Sequence, residues 1–390
     1  GLSGFNPAFG LPRIFRPTVL DVFELDNVQL GLCFSVYGVV AMVSYILGGP
    51  LADKYPPRKL IAIALWLTAL GGFVFASYPA IVILQILYGW WGFTTIFLFW
   101  APMIKATRVW GGNRSQGKAF GFLDGGRGLT GALFGVMGVF IFSAFLKEAP
   151  DIASLTDRKN AFTYVIYVAS SIIILVGFLV WAFLKTTQSE HQASLERISW
   201  NDIRQVLKLP SVWLLMVIIL CGYVGYKITD IISQYAEEVM GYNQVDSATV
   251  GTILQFMRPT VGITFGLIAD KLKITWLLFL SFVLTLIGGL LFASGVIGVY
   301  ACRALYFGVM QVGNIPLSLS GSAVGLISLI GFTPDIFAGP AYGALLDANP
   351  GEEIGHQHVF LMLSGFALIG AVTAFIYHNK YGRKALSGAS

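Results

Sequence analysis

Apolar residues along this chain fall into long runs, each closed by a short stretch rich in charge, glycine or proline. A helix that crosses a hydrocarbon layer of about 30 Å needs about 20 mostly apolar residues. On that criterion the sequence predicts spans at 28–50, 60–79, 80–104, 117–146, 162–185, 211–236, 247–270, 274–295, 297–315, 320–346 and 358–379. Residues 5–22, with Phe5, Phe9, Ile14, Phe15, Val19 and Leu20, read as the C-terminal part of a further span whose beginning is absent.

The breaks between runs carry the topology. Cations concentrate in every second connection: Lys54, Arg58 and Lys59; Lys105, Arg108, Arg114 and Lys118; Lys185, Arg197, Arg204 and Lys208; Lys271 and Lys273; and Lys380, Arg383 and Lys384 in the tail. The alternate connections hold only Lys147, Arg158 and Lys159, set beside Glu148, Asp151 and Asp157. By the positive-inside rule both termini face the cytoplasm, once the partial first helix is completed. The connection 186–210 is the longest basic one and ends at Pro210. It divides the chain into an N-terminal helical bundle, 1–185, and a C-terminal bundle, 211–390. Within it, 195–209 sets Leu195, Ile198, Val206 and Leu207 among Arg197, Arg204 and Lys208, a pattern that suits either a helix at the membrane surface or a solvated linker helix.

Composition sharpens this. Of 390 residues 56% are hydrophobic and 12% charged, about half the charged share of a soluble domain. The 45 glycines suit membrane helices, whose backbones approach closely through small residues. A net charge of +5 is a topology signal and does not indicate nucleic acid, because the cations lie in short loops. Cys33, Cys221 and Cys302 lie inside apolar runs without metal or disulfide spacing.

One motif is specific. Gly49-Pro50-Leu51-Ala52-Asp53-Lys54-Tyr55-Pro56-Pro57-Arg58-Lys59 stands where the second span leaves the membrane. It resembles the signature loop of the major facilitator superfamily, Gly-x-Leu-x-Asp-Arg-x-Gly-Arg-Arg/Lys, with lysine for the first arginine and proline for the second glycine. A degenerate copy, Gly266-Leu267-Ile268-Ala269-Asp270-Lys271, occupies the corresponding exit in the second half, as an internal repeat requires. The resemblance implies an all-α fold of two six-helix bundles around a central cavity, the first helix being incomplete here. It also implies alternating access, with Gly49, Asp53, Arg58 and Asp270 in a cytoplasmic gate. Without the resemblance, the same loop reads as a topogenic cation cluster with a helix cap.

Charge within the spans is expensive, so it marks sites that face partners or water. The cations are Arg13, Arg16, Arg127, Lys227, Arg258 and Arg303; the acids are Asp124, Asp230 and Asp335. Asp124 with Arg127, and Lys227 with Asp230, stand three residues apart on one helical face. The first pair, flanked by glycines, suits gating or structure as well as substrate contact. The second lies on a span that lines the cavity in the resembled family. The remaining excess of arginine favours a ligand with carboxylate or phosphate, since guanidinium offers a planar fork of donors. Asp335 follows Pro334 in an interrupted span and is a candidate proton carrier or a fixed ion-pair partner, with Asp124 the second candidate for proton coupling. Trp91, Tyr226, Tyr306 and Asn314 are candidate ligand contacts beside Arg13, Lys227, Asp230, Arg258 and Arg303.

The sequence Gly112-Asn113-Arg114-Ser115-Gln116-Gly117-Lys118-Ala119 lacks the Ser/Thr of a phosphate-binding loop, and no hydrolase motif is present. No metal, cofactor or enzymatic activity is expected. The expectation is a secondary transporter of a small polar, anionic or zwitterionic metabolite, coupled to protons or a counter-solute. It would be a monomer in a bacterial inner membrane. A proton-driven exporter of lipophilic compounds is the first alternative, disfavoured by the fixed charges. A non-transporting membrane sensor with the same fold is the second.

Overall fold

The computed structural model describes residues 7–111, 116–150, 152–184, 200–269, 272–291, 295–306, 308–313, 315 and 320–383. Among these, the regular elements are helices. In the first half they are α1 (Pro7–Ile14), α2 (Arg16–Phe23), α3 (Asn27–Lys54), α4 (Pro57–Phe75), α5 (Ile81–Gly92), α6 (Trp100–Gly111), α7 (Gln116–Phe145) and α8 (Leu155–Phe183). A π-helical segment, Phe93–Phe97, lies between α5 and α6. Then follow α9 (Trp200–Leu207), α10 (Pro210–Ile228), α11 (Ile232–Glu238), α12 (Gln244–Ala269), α13 (Ile274–Leu290), α14 (Val296–Leu305), a 3-10 segment Gly308–Gly313, α15 (Ser320–Gly331), α16 (Pro334–Asp347) and α17 (Glu353–Tyr377).

Eight described helical segments are long and apolar enough to cross a membrane, and Ile274–Leu290 and Val296–Leu305 are shorter apolar helices. Their outward faces carry large apolar residues that water would not tolerate in such number, among them Phe140 at 72% and Ile86 at 66% exposure. The chain is therefore an integral multi-pass membrane protein. Local chemistry sets the ends. Pro57, Pro210 and Pro334 each open a helix, where the missing N–H costs nothing. Asp26 and Gln29 close a reciprocal box at the start of α3. Ser154 caps α8 through the Asp157 N–H, and Asp157 in turn accepts from the N–H groups of Lys147 and Glu148.

The α4 helix ends at Phe75, short of the expected 79. The loop after it places Tyr78 in the left-handed region, φ 51°. Its hydroxyl donates to the Lys159 carbonyl at 2.6 Å and meets Thr163 Oγ1 at 2.9 Å. Burial pushes the Tyr78 pKa up to about 12, so the hydroxyl stays a donor throughout the physiological range.

The chain forms two compact units whose boundaries are not those of the linker. Unit 1 is Gly1–Leu195 with Asp230–Phe256 and Asp335–Asp347; unit 2 is Glu196–Thr229 with Met257–Pro334 and Ala348–Ser390. In unit 1, Phe15 meets Phe142 and Phe162 edge-on, at ring distances of 5.5 and 5.6 Å, amid a core that also takes in Phe34, Tyr88, Trp91 and Ala248. A second cluster joins Leu60, Leu65, Leu98, Met103 and Ile173. The α3 and α16 helices of this unit meet backbone to backbone. A Cβ on Gly31 would fall 2.5 Å from the Gly339 carbonyl carbon, and one on Gly343 would fall 2.6 Å from the Asn27 oxygen. In unit 2 the core holds Val212, Leu215, Ile219, Phe282, Cys302, Tyr306 and Tyr377. Val206 of α9 is buried in it, and the Trp213 indole donates to the Leu207 carbonyl. The described part of the amphipathic segment thus packs on its own bundle through one apolar face.

Candidate functional site

In unit 2 the cations gather on aromatic faces. Tyr226 lies near the end of α10, Arg258 one residue before Pro259 of α12, and Arg303 in the last turn of α14. The Arg303 guanidinium carbon stands 3.9 Å from the Tyr226 ring centroid and 5.6 Å from that of Tyr223; that of Arg258 stands 5.8 Å from the Tyr226 centroid. Tyr223 and Tyr226 are 5.6 Å apart as rings. Lys227 is next in sequence and only 1% exposed. The described spanning helices of this unit bring no carboxylate of their own apart from Glu353 in the first turn of α17. A guanidinium near an aromatic face is oriented by the ring and carries a planar fork of donors suited to an oxyanion. Tyr306 is buried in the core beside this cluster's helix.

Unit 1 holds a second polar group. The α10 helix stops at Ile228, between Lys227 and Asp230. Asp230 lies beyond the helix end and accepts from Arg13 Nε at 2.6 Å, both residues being buried at 1% and 4% exposure. Arg16, fully buried, donates through Nε to Gln234 Oε1 at 2.7 Å and through Nη2 to Asn27 Oδ1 at 2.8 Å, above the ring of Tyr342. Asn27 Nδ2 donates on to Asp347 Oδ1, and Gln234 Nε2 to Glu238 Oε1. Asp347 also accepts from the backbone N–H groups of Asn27 and Val28, at the N-terminus of α3. Thr18 Oγ1 donates to Gln244 Oε1, and Gln244 Nε2 donates to Asp21, which Arg158 also reaches at 2.8 Å.

The other expected residues are scattered through these units. Trp91 is fully buried in the core, with its indole N–H on the Thr68 carbonyl at 3.1 Å. Arg127 stands over Trp100 at 5.1 Å, and Trp100 meets Tyr45 edge-on. Gly126, expected to pack closely, faces open space. Asp335 is half-buried in the first turn of α16. Arg58 stands over Trp181 at 5.8 Å. Gly49 and Asp53 fall in α3 and Asp124 in α7, with their side chains outside the described part; Asn314 and Asp270 lie outside the described residues. Among the described residues no group of three or more His, Cys, Asp or Glu is placed to hold a metal.

Sequence reasoning missed Asn27, Gln234, Gln244 and Asp347. Their signal was present: amides and an acid at or near the predicted span ends. It also missed the π-helical segment. There Thr95 Oγ1 donates to the Trp91 carbonyl at 2.6 Å and meets the Tyr37 hydroxyl, while Thr68 donates to Thr94.

Comparison with known proteins agrees with this architecture. Over 97% of its length the chain is 28% identical to the inner membrane protein YqcE of Escherichia coli K12, of which it covers 91%. It is 26% identical to a probable hexose phosphate transport protein of Chlamydia pneumoniae, over 32% of this chain and 27% of that one. Its fold matches the crystal structure of a bacterial homolog of the human lysosomal transporter Spinster, in an inward-facing and occupied conformation, with a TM-score of 0.74 at 14% identity, covering 97% of this chain and 95% of the other. The family model of the Major Facilitator Superfamily matches residues 3–323, and the chain belongs to that superfamily.

Proposed function

We propose that this protein carries a small anionic metabolite across the bacterial inner membrane by alternating access, both termini cytoplasmic, in exchange for a counter-solute or with protons. The carrying observation is the convergence of Arg303 and Arg258 on the Tyr226 ring. Two guanidiniums close to one aromatic ring repel each other, and an oxyanion that accepts from both forks offsets that repulsion. We assign Lys227, buried and next to Tyr226 in sequence, to the same ligand. The partial likeness to a probable hexose phosphate transport protein points to the same ligand chemistry. Asp335, at the start of α16, is the carboxylate we assign to proton coupling.

The reading also retains the two-bundle division, 1–185 and 211–390, and a single chain as the working unit. Asp53 and Arg58 remain the proposed cytoplasmic gate. The test uses purified protein in proteoliposomes loaded with inorganic phosphate. Labelled hexose phosphate should enter, neutral hexose should not, and R303A and R258A should each lower the phosphate-ester flux at least tenfold. Equal flux of neutral hexose, or full activity in both variants, would overturn the anionic assignment.

A further inference from the structure

We infer that Arg13, Arg16, Asn27, Gln234 and Asp347 form a latch that holds the non-cytoplasmic end of the solute path shut. This rests on the transport reading above. Two segments of the second half belong to unit 1, namely Asp230–Phe256, which contributes α11 and the start of α12, and Asp335–Asp347, which is α16 after its first residue. Each is tied to first-half helices by a polar link. The α11 region is held by Arg13 on Asp230 and Arg16 on Gln234; α12 by Thr18 and Asp21 on Gln244; α16 by Asn27 and the Val28 N–H on Asp347. All these links lie near the connections 24–27, 239–243 and 348–352, which are the poorly cationic ones of the alternating pattern.

The chemistry of the links explains why such a latch opens. Arg16 reaches no carboxylate directly among the described residues. Asn27 turns its carbonyl to Arg16 and its NH2 to Asp347; Gln234 does the same between Arg16 and Glu238. Each neutral amide bridges a cation to an anion, with its dipole fixed at both ends. Opening these two relays separates charges that were already apart, so Arg13 with Asp230 is the direct buried ion pair that the latch must break. The glycine seam of Gly31 and Gly38 against α16 leaves no room for side chains that would hold the two helices apart.

The test reads closure by labelling. Cys33, Cys221 and Cys302 are buried; they are replaced by alanine, and Ala248, 1% exposed in the unit 1 core, becomes the reporter as A248C. An impermeant maleimide is added to right-side-out membrane vesicles. With the latch intact the reporter should label slowly. D347N, Q234L and N27D should each raise its rate at least fivefold, N27D doing so by setting two carboxylates against each other while leaving Arg16 its oxygen acceptor. A D21C/Q244C cross-link should suppress labelling by fivefold or more, reversibly with reductant, in a chain otherwise unaltered; this arm decides if the substitutions unfold the protein. Rates within twofold of the parent in every arm would overturn the latch. Altered labelling without any solute flux would uphold it and count against transport, whereas normal flux with unaltered labelling would do the reverse.

Discussion

At the scale of single residues, Arg13 and Asp230 form a buried ion pair that is costly to break from one side. Their bond is 2.6 Å long with both groups almost fully enclosed. In such a place, removing one partner costs about 3–5 kcal/mol, because the other charge is left in a medium that cannot solvate it. D230N should therefore lower unfolding stability in detergent by about 3 kcal/mol. The double variant D230N/R13M should recover most of the loss, a coupling that thermal melts of the four chains would measure; additive losses would show that the pair acts through other contacts. Both residues were legible in the sequence as charges too deep to be idle. Their partnership was not. Sequence spacing set Asp230 beside Lys227, whereas Arg13 stands 217 positions from Asp230, a separation that no local pattern records. Arg16 shows the same limit. Its amide acceptors, Asn27 and Gln234, carry no charge for a sequence pattern to balance.

At the scale of elements, the spans were readable because their criterion is simply length and apolarity, conditions imposed by lipid on any helix. Breaks within spans were less so. Proline marks those at Pro259 and Pro334, but the π-helical turn at Phe93–Phe97 has no composition of its own. It is held by Thr95, Thr94, Tyr37 and Thr68, hydroxyls contributed by three helices. Glycine was likewise readable as close packing in general, though not at which seam. Gly31 meets the backbone of α16, while nothing approaches Gly126. The two should respond oppositely to one methyl. G31A forces two backbones apart and should destabilise by about 1–3 kcal/mol, as overpacking does. G126A should be neutral or gain up to about 1 kcal/mol from helix propensity. Melting temperatures of the two variants decide this, and a harmless G31A would contradict the close seam.

At the scale of the whole molecule, the repeated motif and the alternating charge of the connections foretold two halves of six spans, and the family match agrees. They did not foretell that the compact units are interleaved. A sequence records which spans exist, whereas the partition of α10–α11, α12 and α15–α16 between units depends on contacts between distant segments. Each crossing falls at or near an irregularity: Thr229/Asp230 in the gap between α10 and α11, Phe256/Met257 just before Pro259, and Pro334/Asp335 at the start of α16. Proline removes one helical hydrogen bond and clashes with the carbonyl four residues back, so it concentrates bending at its own turn. Along α12 that carbonyl belongs to Gln255, directly before the crossing. If the units exchange partners during a transport cycle, α12 must bend there. P259A restores the bond and stiffens the turn. It should slow hexose-phosphate flux in proteoliposomes several-fold, with the ligand's binding affinity held within about twofold, because Arg258 and Tyr226 keep their places. Unchanged flux would locate the bend elsewhere, and a parallel loss of affinity would mean that Pro259 shapes the site directly.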